Sequence, residues 1–386
     1  MIQERKFISK EVHEMITEKE LSEDYDYSMY FGPAHPGSGN FSVKLYLRGE
    51  KVVKAVADPG YLHRGFEKLM EYREPMQNAV LSDRICVLEP IQWNLLHAEA
   101  VDNLMRYDIP ERAKYIRVIL AELSRIQSHF IWYATMSMGS GFMTGFNLAI
   151  GYRDYILDVF NLITGARLYP TGYICPGGIR KDLPDNAEKK ILEVLEKAEY
   201  MYKFAMKENP AWLERFKGVG VLNKEEAIKL GATGPILRAS GVEADIRRDD
   251  PYEVYDELDF DIPVYDEGDA YARYRVGMQE IGESIKIIRQ AIDRLPKGEV
   301  KTPNLKPIVH FKKAKGETYV RNELSRGEGA MYMIATGQKT PYRVKIRGPS
   351  FTHMIPILEH LLENVYYADV PAIYWSLYQC PADVDR

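Results

Sequence analysis

Between Pro110 and about Thr135, Ala113, Ile116, Ile119, Leu120, Leu123, Ile126 and Phe130 recur at three- and four-residue spacing. Such a stripe puts its apolar side chains on one face of a long helix, and that face must be buried against other elements. A second helix is predicted over 90–106, where Ile91, Leu95, Ala98, Val101, Leu104 and Met105 keep helical period and Pro90 suits the first turn. Gly139, Gly141 and Gly145 are read as ending the long helix. Further helices are expected at about 152–164, 185–208, 268–295 and 352–364. The chain between them, ARLYPTGYICPGGIR and later GATGPILRASG, has loop chemistry, and the acidic run from Asp249 to Asp261 reads as a solvated connection.

Strands are expected at both ends. Residues 40–58 alternate apolar and polar positions around Arg48-Gly49-Glu50-Lys51, the pattern of a hairpin with one buried face. GAMYMIATG and YRVKIRGPS read as strands, and the tail to Arg386 as strand or loop. The expected fold class is α+β, mainly α-helical. Three regions follow: a β-rich stretch over 1–75 with a site loop, a helical core over 76–310, and a mixed α/β part over 311–386 that completes the site.

At 386 residues and 46% hydrophobic, the chain can bury a large core. Its 51 basic and 56 acidic residues leave a net charge of -5, which gives no electrostatic reason to expect nucleic acid or anionic lipid as a partner. Three scattered cysteines, Cys86, Cys175 and Cys380, argue against a disulfide framework and for a reducing compartment. The opening MIQERKFISKEVHEM is charged, without a secretory apolar stretch, and apolar runs elsewhere stop short of the ~20 residues a spanning helix needs. Membrane association is therefore expected through partners.

Three constellations could carry chemistry. Cys86 and Glu89 stand three residues apart before the helix at Pro90, and Cys380 and Asp383 repeat the spacing at the end of the chain. Either pair can converge on one point where the backbone turns, as ligands spaced by two residues do; singly, each also reads as a buried structural cysteine near a surface carboxylate. The third set is histidine beside glycine or arginine: His35 in GPAHPG, His63-Arg64-Gly65, and Arg125 with His129 on one face of the long helix. No dinucleotide fingerprint, phosphate loop or nucleophile elbow is present.

The strings GPAHPGSGNFSVKLYLRGE, GYLHRGFEKLMEYR, IPERAKYIRVILAELSRIQSHFIWYATMSMGSGFM, ITGARLYPTGYICPGGIRKDLP, GPILRASGV, DPYEVYDELDFDIPV, PYRVKIRGPSFTHM and DVDR resemble, in order from about residue 30 to 386, two related groups. These are the 49-kDa (D) subunit of complex I and the large subunits of group 4 membrane nickel–iron hydrogenases. The resemblance implies pairing with a small iron–sulfur subunit whose terminal cluster faces a cavity in this chain. It also implies further peripheral-arm subunits, ion-pumping membrane subunits, and a place on the cytoplasmic side of the membrane. Arg64, Arg84 and His129 match residues near that cluster in complex I members, where positive charge would favour its reduced form.

Two departures from the family are informative. Each Cys-x-x-Cys motif of the hydrogenases keeps only its first cysteine here, followed by Glu89 and Asp383, so the resemblance implies loss of the nickel–iron site and no cofactor bound directly by this chain. The complex I quinone ligands are replaced by Gly39 and Val87. A third branch, the archaeal membrane-bound sulfane reductases, combines this frame with neither site. It implies polysulfide reduction with ferredoxin as donor, in a cavity lined by His35, Cys86, Glu89, Cys380 and Asp383. The alternatives are a remodelled quinone cavity, a metal held by the mixed cysteine and carboxylate set, and a coupling subunit without catalysis of its own.

Overall fold

A computed structural model describes residues 25–35, 37–207 and 210–386; the charged opening stretch lies outside the described residues. Glu111–Gly139 is the axis of the molecule, and its stripe is buried as its period requires. Met143–Thr164, Pro90–Met105 and Ala270–Asp293 pack on it, while Ala187–Met206 covers the outer sides of Met143–Thr164 and Ala270–Asp293. The chain is mainly helical with small antiparallel sheets, as the fold class requires. Among the described residues no helix is long and apolar enough to cross a membrane.

The expected hairpin forms from Ser42–Arg48 and Lys51–Asp58, and Tyr27–Phe31 adds a third strand beside the first. Its face is not singly buried: Tyr46, on the side opposite Leu45, is covered as well, with Tyr25 edge-on at 4.9 Å. The C-terminal sheet consists of Lys315–Leu324, Gly327–Thr336 and Arg343–Arg347 in that order. Pro90–Met105 packs on its first two strands, so the N-terminal end of that helix meets the sheet's first hairpin turn.

Several sequence expectations are corrected. Gly145 lies inside Met143–Thr164, which starts earlier than expected. GATGPILRASG contains the helix Gly234–Ala239, begun at Thr233 with Pro235 in its first turn. The turn-rich ARLYPTGYICPGGIR holds a minimal hairpin, Ile174–Cys175 with Gly178–Ile179. In the acidic run, Val254, Tyr255, Leu258 and Phe260 are buried, and Glu253 bridges the buried Arg117 at 2.8 Å, so part of the connection belongs to the core. The tail after 369 forms two short helices, Val370–Ser376 and Pro381–Asp385, rather than a strand. Near 353–357 the expected helix takes a π turn around Pro356, whose missing N–H cannot continue the regular ladder.

A network of charged groups runs through the helical core. Arg238 meets Glu280 at 2.5 Å and Glu323 at 2.9 Å; Arg247 meets Asp245 at 2.7 Å and Glu122 at 3.2 Å; Arg125 meets Glu122 at 3.2 Å. These groups are almost wholly buried. Three guanidinium groups serve four carboxylates, and the surplus appears at Glu323, where burial and then Asp245 push the carboxyl up to about 7.

Breaking a buried pair by removing one partner costs about 3–5 kcal/mol because the other charge is stranded. Arg238→Met should therefore loosen Gly234–Ala239 and Ala270–Asp293 by about that amount, read by hydrogen–deuterium exchange in the assembled complex; unchanged exchange would mean the network tolerates the loss. Glu323 gives a second test. An unfolded glutamate releases its proton near ~4.3, whereas the folded one keeps it until about 7. Stability should fall as pH rises through that window, and Glu323→Gln should make the fall in melting temperature between pH ~5 and ~8 shallower.

Candidate active site

Three segments far apart in the chain meet at the Cys86–Glu89 turn. The first is that turn itself, where Glu89 precedes the first residue of Pro90–Met105. The second is the tail. Tyr378 adopts φ +47°, a left-handed conformation that costs a bulky residue on the order of 1–2 kcal/mol. Its ring stacks on Trp132 at 3.9 Å and packs edge-on to His129 at 5.5 Å, which holds the bend and delivers Cys380 to the site. This is feasible because Gly277 has no side chain: a Cβ there would sit 1.1 Å from the Tyr378 hydroxyl. The third segment is the hairpin turn Ser325-Arg326, buried because Gly327 packs against Gly234, whose added Cβ would lie 2.3 Å from the Gly327 Cα.

At the junction the Sγ atoms of Cys86 and Cys380 are 2.7 Å apart, both fully buried. A carboxylate oxygen of Asp383 lies within 4.8 Å of both. Asp383 Oδ2 accepts from the Ser350 hydroxyl at 2.9 Å, and the same hydroxyl accepts from the Cys380 N–H at 3.0 Å. Burial, then Cys380 and Glu89, hold the Asp383 carboxyl well above the usual carboxylate range. Glu89 Oε2 accepts from Ser325 at 2.6 Å and from Arg326 at 3.0 Å. Arg326 also donates to Ser128 at 2.9 Å. Burial opposes its charge, but Glu89 and then the two thiols keep its pKa raised. Oε1 of Glu89 and Oδ1 of Asp383 are buried without hydrogen-bond partners.

The two expected cysteine–carboxylate pairs thus do converge. Arg64 acts as a clasp: its guanidinium donates to the carbonyls of Arg84 at 2.7 Å, Ile85 at 3.0 Å and Ala382 at 2.8 Å, tying both thiol-bearing segments together. Arg84 donates to the Val80 carbonyl at 2.6 Å and to Asp83, and lies 5.1 Å over the Tyr169 ring. His35 stands apart at the surface, its Nδ1 accepting from Gly37 N–H at 3.1 Å; the loop after it reaches the tail through Trp375 Nε1 donating to the Gly37 carbonyl at 2.9 Å. His129 is inside the core. Its Nε2 is 2.9 Å from Glu280, and burial holds its pKa below the usual value, so it is a neutral neighbour of Tyr378 rather than a cation. The buried positive charge at the thiols is Arg326. Sequence reasoning missed it, because Ser-Arg-Gly at a hairpin turn reads as solvated loop.

Because the tail's position depends on the space at Gly277, Gly277→Ala should cost about 1–3 kcal/mol by overpacking and displace the tail. Faster hydrogen–deuterium exchange over 370–386 in the variant would show it, whereas unchanged exchange there would count against this docking.

Comparison with known proteins identifies the family and the fold. The model of the respiratory-chain NADH dehydrogenase 49 Kd subunit matches residues 139–313 and 304–386, and that of nickel-dependent hydrogenase matches 64–138. The D subunit of NADH-quinone oxidoreductase from Thermosipho melanesiensis is 43% identical over 366 residues, covering 94% of this chain and 100% of its own. The D subunit of F(420)H(2) dehydrogenase from Methanosarcina mazei is 38% identical, covering 95% and 100%. A chain from the structure of the archaeal membrane-bound sulfane sulfur reductase superposes with a TM-score of 0.90 at 41% identity, over 94% of this chain and 99% of that one. With the family model and these relatives spanning nearly the whole fold, the chain belongs to the 49-kDa (D) subunit family of respiratory NADH dehydrogenase, built on the frame shared with nickel-dependent hydrogenases.

Proposed function

We propose that this chain is the site-forming subunit of a membrane-bound oxidoreductase that reduces sulfane sulfur, active only within its complex. The observation that carries the reading is the junction itself: Cys86 and Cys380 with Glu89 and Asp383 where a hydrogenase has its remaining thiolates. This donor set does not fit a nickel–iron pair. Glu89 is engaged by Arg326 and Ser325, burial favours the neutral form of Asp383, and two sulfurs 2.7 Å apart are too close to grip a metal between them. The quinone reading lacks its ligands too, since Gly39 and Val87 offer no imidazole or phenol. The likeness to the sulfane sulfur reductase chain supports the same branch.

In this reading the terminal iron–sulfur cluster of a small partner subunit faces the junction and supplies electrons that ferredoxin brings to the complex. No cofactor is bound by this chain directly. Two electrons cleave a polysulfide into sulfide and a shorter chain, so negative charge develops on sulfur. The buried guanidinium of Arg326 and the clasp of Arg64 stabilise that charge, and Arg84 extends the positive edge towards the cluster. His129 acts through Tyr378 on the position of Cys380, and the loop of His35 closes the cavity from the tail side. Other peripheral-arm subunits hold the chain on the cytoplasmic face, and ion-pumping membrane subunits conserve the energy.

A quinone-reducing complex is the second reading, favoured by the 43% identity to a chain of an NADH-quinone oxidoreductase. The purified native complex, supplied with reduced ferredoxin, separates the two. Sulfide release from polysulfide, with hydrogen evolution and quinol formation at least ~100-fold slower (about 2.7 kcal/mol in barrier), is the expected outcome. Quinol or hydrogen as the main product would refute sulfane reduction.

A further inference from the structure

Cys86 and Cys380 lie 294 residues apart in sequence, yet their sulfurs are 2.7 Å apart in a buried site. That separation is shorter than the contact of two unbonded sulfurs and longer than the about 2.05 Å of a disulfide bond. The two sulfurs are thus placed within reach of an S–S bond, which only a small movement of either side chain would close.

The environment makes the pair unequal. The hydrogen bond from Cys86 lowers the Cys380 pKa against burial, and Arg326 assists. Burial, followed by Cys380, holds the Cys86 thiol well above its ordinary range. One sulfur is therefore the nucleophile and the other keeps the proton, the division by which dithiols exchange. Both segments are fixed for the purpose, by the Arg64 clasp and by the Ser350 hydroxyl on the Cys380 N–H.

We propose that Cys86 and Cys380 are a dithiol/disulfide couple, oxidised by sulfane sulfur and reduced again by the electrons of the site. The inference rests on the sulfane reading above. In the oxidising step the Cys380 thiolate attacks a sulfur of a polysulfide dianion, breaking an S–S bond and forming a persulfide. Cys86 then displaces the outer sulfur and closes the disulfide. The products are the disulfide, HS⁻ carrying the Cys86 proton, and the polysulfide dianion shortened by one sulfur; two electrons pass from the cysteines to sulfur. Reduction takes two electrons from the partner's iron–sulfur cluster and one proton, and restores thiol and thiolate.

The test uses the purified native complex, reduced with dithionite, desalted, and exposed to polysulfide or to buffer. Each sample is quenched in acid, denatured, alkylated with iodoacetamide, digested without reductant and analysed by mass spectrometry, while sustained sulfide release is measured with reduced ferredoxin. The expected result is a peptide pair joined through Cys86 and Cys380 only after polysulfide, lost again on dithionite, with Cys175 alkylated throughout. In Cys86→Ser the resolving thiol is gone, and Cys380 should accumulate one extra sulfur. Alkylated Cys86 and Cys380 in a complex that sustains sulfide release overturns the couple and leaves the function standing. The cross-link in a complex without sustained release keeps the couple and refutes the function.

Discussion

Arg125, Arg238 and Arg247 are withdrawn from water in the helical core and paired there with carboxylates, Arg125 with Glu122 of its own helix and the other two with carboxylates that include ones from other elements. Glu122 comes from the long helix, Glu280 from Ala270–Asp293, Asp245 from the cap of a short helix and Glu323 from the C-terminal sheet. An ion buried alone is far more costly than one paired. The arrangement therefore demands that all four elements dock in one register. Apolar packing drives the collapse, and the charges select which collapsed arrangement is acceptable.

The site is a consequence of that register. With the sheet hairpin held by Arg238 and Arg125, its turn carries Arg326 inward, where Glu89 at the start of Pro90–Met105 receives it. The tail then closes the third side, passing over Gly277 and stacking Tyr378 on Trp132. His129 belongs to both systems: it bonds Glu280 of the ion network and touches Tyr378 of the tail. Strain at Tyr378 and unpartnered carboxyl oxygens at Glu89 and Asp383 are concentrated at this junction, the kind of local cost a fold retains at sites of function.

Two thiols and two carboxyl groups are gathered at the junction, with Arg326 behind Glu89. The clasp of Arg64 binds the Arg84–Ile85 segment to Ala382, so the two cysteine motifs meet. What meets there is a close sulfur pair with a guanidinium behind it, suited to exchange at sulfur. Function in this family is thus read from the few side chains at the junction and not from the fold.

Much of the architecture was legible in the chain itself. The period-3.6 stripe of 110–135, the helix opened by Pro90 and the hairpin at 42–58 are local patterns, and local geometry determines which face each must bury. The two cysteine–carboxylate spacings also pointed to Cys86, Cys380 and Asp383, which the structure brings within 4.8 Å of one another. Other features had no local signature. Arg326 sits in a turn that reads as solvent-exposed, His129 looks like a cation until burial, against the pull of Glu280, lowers its pKa, and the tail's helices depend on room left at Gly277. Periodicity records what a residue needs on its own element. Its charge state, its partners and its distance from a residue nearly three hundred positions away arise only when the elements pack, because burial and Coulomb interactions depend on separation in space rather than along the chain.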